Sequence, residues 1–259
     1  MRNIWTIMRK EMSSYFRSPI AYIVLTVFAV IFGYFFVSIL SIFVRQSMMS
    51  AQYAEMYGQQ MHMNVNEMVI RPLLMNVSVI SLFLVPMITM RLFPEEKRSG
   101  TIELLMTSPV TDLQIILGKF FAAILLYAAL LGITMFLFII IFHYGNPDWK
   151  PLMAGYLGLL LLGGCFMALG IMLSTLTKNQ LVAGMLTFGL FLMLWVIDWV
   201  SDYSTGAIGQ VASYLALTTH LENYAKGVID LRDTVYYLSV IGLGLFLTAR
   251  SVESVRWRA

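Results

Sequence analysis

Six stretches of this chain are apolar for long enough to cross a bilayer, and short polar segments separate them. A spanning helix needs about 20 mostly apolar residues. The pattern predicts spans over residues 20–44, 73–90, 120–142, 152–176, 181–197 and 234–249. The first contains no Asp, Glu, Lys or Arg. At about 1.5 Å per residue it runs to roughly 37 Å, so tilt is expected. It follows Arg2, Arg9, Lys10 and Arg17 but is too long for a signal h-region, and no A-x-A-type site follows, so it reads as an uncleaved span.

Composition strengthens this picture. The chain is 59% hydrophobic and 12% charged, whereas soluble domains carry about 25% charged residues. An all-α integral membrane protein follows, organised as one transmembrane domain over residues 1–259. Charge then sets the orientation. With the N-terminus inside, the inner segments hold 12 Lys and Arg and the outer segments 5. Both termini are therefore expected on the cytoplasmic side of a bacterial inner membrane.

Residues 1–19 space Ile4, Trp5, Ile7, Met8, Met12, Tyr15 and Phe16 at helical intervals with basic residues between. This predicts an interfacial helix with its basic side toward anionic headgroups. Membrane lipids are thus expected partners; a tail that merely sets topology is the other reading. Pro19 breaks this helix before the first span.

The inner loop, residues 91–119, carries the most local structure. Pro94 stops or kinks the second span, and Glu95, Glu96, Lys97 and Arg98 follow as water-exposed charges. Gly100 allows a tight turn. Thr101 opens a short helix in which Ile102, Leu105 and Met106 point one way and Glu103 another, with Leu104 between. Pro109 ends it, Thr111 and Gln114 form a capping box, and Lys119 marks the membrane edge. A short bracketed helix with apolar knobs and charged flanks suits a partner's groove.

The outer loop, residues 45–72, is rich in methionine: Met48, Met49, Met56, Met61, Met63 and Met68, with His62 among them. Thioether and imidazole ligands suit Cu(I). Met49, Tyr53, Met56, Gln60 and Met63 also fit one face of a short helix leaning on the membrane or its neighbours. The chain has 19 Met in all, so packing is favoured and no metal site is assigned. Residues 152–176 are rich in Gly and Ala, which suits internal packing, a dimer seam or a path lining. The single cysteine, Cys165, reads as a core residue.

Residues 198–233 form a second outer segment. Part of it is apolar but too interrupted to span, which predicts a re-entrant hairpin or a surface helix. Its charged residues include His220, Glu222, Lys226, Asp230, Arg232 and Asp233. Most are expected to form local ion pairs; an outer gate is the alternative.

Chemistry of its own is missing from the sequence. The only Gly-Lys pair, Gly118-Lys119, has Leu113 where a phosphate loop needs its first glycine and Phe120 where it needs Ser or Thr. No H-E-x-x-H or G-x-S-x-G run occurs, and the six span cores hold essentially no ionisable residue. Neither an enzyme, nor an ion-coupled carrier, nor a nucleic-acid binder is expected.

Residues 86–119 read P-x-I-T-M-R-x-F-x-E-E-K-x-S-G-T-I-E-L-L and then T-D-x-Q-I-I-L-G-K. Together with K-E-x-x-x-Y-F-x-S-P-I-A-Y over 10–22 and HLENYAKGVIDLRDTVYYLS over 220–239, this resembles the ABC-2-type transporter permeases, most nearly their gliding-motility-associated branch. The resemblance implies a six-span permease subunit, working as a homo- or heterodimer with two copies of a separate ATPase that binds ATP and Mg. It implies a coupling helix over 95–105, taking in Glu95 to Leu105, and short outer helices before the last span. Export by alternating access is the function it implies. A non-transporting membrane anchor, through which the ATPase acts on an envelope or periplasmic protein, is the alternative. A copper-related permease using Met61, His62 and Met63 is a third.

Overall fold

A computed structural model describes residues 2–58, 63–101, 110–203 and 206–256. The regular elements among these residues are all helices, with no strand. Ten helices follow in order: α1 Arg2–Arg17, α2 Pro19–Tyr57, α3 Arg71–Thr89, α4 Pro94–Ser99, α5 Asp112–Tyr144, α6 Trp149–Ser174, α7 Gln180–Tyr203, α8 Ala207–Leu215, α9 Leu217–Ala225 and α10 Leu231–Arg256. Among the described residues six helical stretches are long and apolar enough to cross a membrane. We call the end that carries α1 and α4 basal, and the end that carries α8 and α9 distal.

Local chemistry sets the helix ends. Ser18 caps α2, its Oγ accepting from the Ile20 amide, and Pro19 takes the first helical position. The Thr111–Gln114 capping box opens α5 as the sequence predicts. Asp148 caps α6. Asn66, in a π-helical turn that leads into α3, exchanges two hydrogen bonds with the Asp148 backbone (3.0 and 3.1 Å) and so ties two distal loops together.

Two expectations shift. The first span ends well before its helix does: α2 runs 39 residues, about 58 Å, so residues 45–57 extend it rather than forming a loop. The methionine face on this extension does not pack within the chain, since Met49, Tyr53 and Met56 are all more than half exposed. Met61 and His62 lie outside the described residues. Pro94 does not end the second span either. That helix stops at Thr89, and Pro94 opens α4, where a missing amide proton costs nothing.

The centre of the molecule is α6. Its small residues let α3, α5, α9 and α10 approach closely. A Cβ at Gly155 would meet Leu74, at Gly163 Tyr127, at Gly158 Tyr224, at Gly164 Ile241 and at Gly170 Thr89, in every case within 3 Å. Internal packing therefore accounts for this face. Gly158 lies nine residues into α6, about 13 Å along it, so α9 descends well inside the distal rim, as a re-entrant element does. Cys165 is buried and donates to the Tyr237 carbonyl at 3.3 Å. In the most apolar windows of α3 and α6, 67% of residues are buried; in α2 and α7 the shares are 22% and 17%. The inner pair is thus enclosed, while α2 and α7 present apolar faces outward.

Candidate functional site

The basal end is organised by one buried cation. Lys119, in the second turn of α5, is 1% exposed. Its Nζ reaches Glu11 Oε1 at 2.9 Å, Glu96 Oε1 at 3.0 Å and the Leu92 carbonyl at 2.7 Å. An ammonium has three protons to donate, and here three acceptors take them. The Phe93 ring lies 5.3 Å away and adds cation–π contact. Glu11 comes from α1, Glu96 from α4 and Lys119 from α5, so one ammonium joins three elements. Lys10 adds a fourth, looser contact to Glu96 at 3.5 Å.

Glu96 is therefore not water-exposed, as the EEKR run suggests. It is buried, and its Oε2 has no hydrogen-bond partner. The reason is helical geometry: α4 turns Glu96 inward while Glu95 and Arg98, three apart, face out. Lys119 likewise is not a solvated flank but a paired interior charge. Glu95 holds Arg91 at 3.2 Å, and Arg91 donates to Ser18 Oγ at 3.0 Å, linking this segment to the cap of α2. Lys97 is half-buried and donates to the Thr175 carbonyl at the end of α6. Thr175 in turn donates to Ser251 of α10 at 2.7 Å. The segment over 91–99 thus touches α1, α5, the cap of α2 and the end of α6 directly. Gly100 ends α4 with φ +73°, a left-handed turn that favours glycine. Thr101 is exposed, and its hydroxyl lies 2.8 Å from that of Ser99. Ile102, Glu103, Leu104 and Leu105 fall outside the described residues.

Helix α1 lies against α5. Asn3 donates to Gln114 at 3.1 Å, and a Cβ at Gly118 would stand 2.7 Å from Ile7. Tyr15 is buried with its hydroxyl unpartnered. Burial, and then the nearby Glu11 carboxylate, push that hydroxyl well above the usual tyrosine range.

A second polar cluster closes the distal end. His220 Nδ1 lies 2.6 Å from Asp233 Oδ1, and Asn223 donates to Asp233 Oδ2 at 2.7 Å. His220 Nε2 faces the Tyr214 carbonyl at 3.2 Å, and the ring stacks on Tyr236 at 4.1 Å. Both ring nitrogens thus face oxygen partners. Asp198, at the distal end of α7, accepts from Thr218 and from Thr219 (3.4 Å). The remaining charges make surface pairs. Glu222 lies 3.4 Å from Arg71 and 3.2 Å from Lys226. Asp230 accepts from the Arg232 amide at 2.9 Å, and the Arg232 guanidinium stands 5.4 Å from the Tyr214 ring centre. His220 and Asp233 are brought together; Glu222 and Lys226 form a separate pair beside an open polar cleft of about 590 Å³ that Arg71 and Asp148 also line.

Sequence reasoning missed Glu11, Asn223 and Asp198. Glu11 carried a legible sign: it stands four residues from both Ile7 and Tyr15, in the apolar stripe of α1, where a carboxylate needs a buried partner. Among the described residues no group of three or more His, Cys, Asp or Glu side chains stands close enough to hold a metal.

A comparison with curated proteins gives no match. The profile of the ABC-2 family transporter proteins, permeases that work with ABC ATPase subunits, matches residues 5–241. That covers nearly the whole six-helix body, so the chain belongs to the ABC-2 family and is the non-catalytic permease subunit of an ABC transporter.

Proposed function

We propose that this permease exports a substrate by alternating access, driven by two ATPase copies that dock on the segment over 91–119. The observation that carries this reading is the Lys119 cluster. It makes α1, α4 and α5 one mechanical unit, so a push on that segment reaches a span directly. Lys97 extends the same connection to α6. The exposed side chains of α4, Glu95 and Arg98, stand at the rim, where charges set register and partner choice. The ATPase does work by binding one permease conformation more tightly than the other. Residues 102–105 supply the apolar knobs in this reading, and ATP and Mg stay on the ATPase.

The basal end is then cytoplasmic and both termini lie inside, in line with the excess of basic residues there. Residues 1–259 act as one transmembrane domain. A second permease copy covers the outward faces of α2 and α7. The distal cluster of His220, Asp233 and Asn223 holds α9 to α10 as a fixed outer clasp beside the path. The motifs over 86–119 and 220–239 support the motility-associated branch, where the cargo or the moved partner belongs to the cell envelope.

Purification of the tagged chain from its native membrane tests the reading. A stoichiometric ATPase is expected. It should be lost with Glu103→Ala, and transport into inverted vesicles should stop. An intact chain that never retains an ATPase, even after crosslinking, overturns the docking. Substrate-independent ATPase activity that only an envelope protein stimulates overturns export in favour of the anchor.

A further inference from the structure

Beside their contact, α1 and α5 leave a groove of about 680 Å³ between them. Its walls are apolar: Ile4, Trp5 and Met8 from α1, and Phe121, Leu125 and Ala128 from α5 among them. From Phe121 to Ala128 the wall climbs about 10 Å along α5, away from the basal end and into the apolar length of the span. Trp5 stands at the mouth and is 64% exposed. Such a ring, apolar in body and polar at one edge, suits a bilayer interface.

The rim is cationic. Arg2 precedes Trp5 by three residues and Arg9 follows it by four, so both share its flank of the helix. Both are exposed, and neither forms an ion pair among the described residues. The only acid of α1, Glu11, is turned to the other side and held by Lys119. An apolar floor that runs into the span and two free guanidinium groups at its mouth call for an amphiphile with a negative head. We propose that this groove holds one anionic phospholipid, an acyl chain along α5 and the phosphate between Arg2 and Arg9. Guanidinium groups take phosphate oxygens in paired, charge-assisted hydrogen bonds. The bound lipid holds the N-terminal half of α1 against α5, on the flank beside the one that Glu11 presents to Lys119. The inference does not rest on ATPase docking and stands or falls separately from it.

Native mass spectrometry of the detergent-purified chain tests it, with titration by phosphatidylglycerol and, separately, phosphatidylcholine of the same acyl chains. One saturable phosphatidylglycerol per chain is expected, with about tenfold or greater preference over phosphatidylcholine. Arg2→Gln with Arg9→Gln should abolish the preference and leave weak, equal uptake of both. These side chains are exposed and unpaired, so the fold is retained. Ala128→Phe should fill the groove and lower uptake of both lipids. Equal, unsaturating uptake by the parent chain marks ordinary annular lipid and overturns the proposal. So does a preference that survives the arginine changes. If Ala128→Phe leaves lipid uptake unchanged but shifts the chain from dimer to monomer, a second copy fills the groove and the proposal fails.

Discussion

Replacing Lys119 by methionine removes an ammonium while keeping a stem of similar length. Three acceptors lose their donor at once: Glu11 and Glu96, at 2.9 and 3.0 Å, and the Leu92 carbonyl at 2.7 Å. The two carboxylates are only 12% and 11% exposed, so water cannot take the place of the cation. Lys10 remains 3.5 Å from Glu96 but is 62% exposed and offsets little. Breaking a buried ion pair by removing one partner costs about 3–5 kcal/mol. Lys119→Met should therefore lose about that much in reversible unfolding from mixed micelles. Amide exchange should rise along α1, which the cluster holds to α5. A triple variant, Glu11→Gln, Glu96→Gln and Lys119→Met, should recover most of the loss, because no buried charge is left uncompensated. A loss below about 1 kcal/mol in the single variant, the value of an exposed pair, refutes the buried cluster. So does a triple variant less stable than the single one.

Other expectations are shorter. Gly163→Ala places a Cβ 2.2 Å from the Tyr127 ring, which is tethered to Ser81 at 2.9 Å and cannot retreat freely; a loss of about 1–3 kcal/mol is expected in thermal unfolding. Gly100→Ala meets no atom within 4 Å but must adopt φ +73°, so about 1–2 kcal/mol of strain should appear locally, as faster exchange over 94–101. Asp233→Ala leaves His220 and Asn223 without their shared partner and should cost about 1–3 kcal/mol, read as protease cleavage between α9 and α10 in right-side-out vesicles. Single cysteines at Met49, Tyr53 and Met56 should give disulfide-linked dimers in native membranes, with little background from the buried Cys165; crosslinking at none of them removes α2 from the subunit interface.

The spans were legible because their apolar runs have one physical meaning at that length. Helix ends governed by local chemistry were legible too, such as the Thr111–Gln114 capping box and the left-handed turn at Gly100. What the sequence hid depends on direction. Four consecutive charges at 95–98 look equally wet in one dimension, yet one turn of helix sends Glu95 out and Glu96 in. The carboxylate partners of Lys119 lie 23 and 108 residues away, and no local pattern pairs them. The length of α2 was hidden for another reason. Residues 45–57 are mixed in polarity, so hydropathy ends the span there while the backbone, free of Gly and Pro until Gly58, continues as helix.

The distribution of ionisable groups bears on how such a body can move. The buried charges Lys119, Asp198 and Asp233 each sit near the end of a long helix, none in its middle. Between those ends α6 is packed on its neighbours through glycine, with Leu74, Tyr127 and Tyr224 filling the space where side chains would stand. Close packing of this kind resists bending, because interiors at crystal-like density have no slack to absorb it. On the coupling proposed above, a force applied to α4 moves α1, α4 and α5 together about the Lys119 cluster, and α6 follows through Lys97 and Thr175. In the dimer proposed above, the outer faces of α2 and α7, weakly held within the chain, are the surfaces along which one half of the transporter slides on the other. Rigid inner helices and loosely bound outer ones are what rocking between two access states requires.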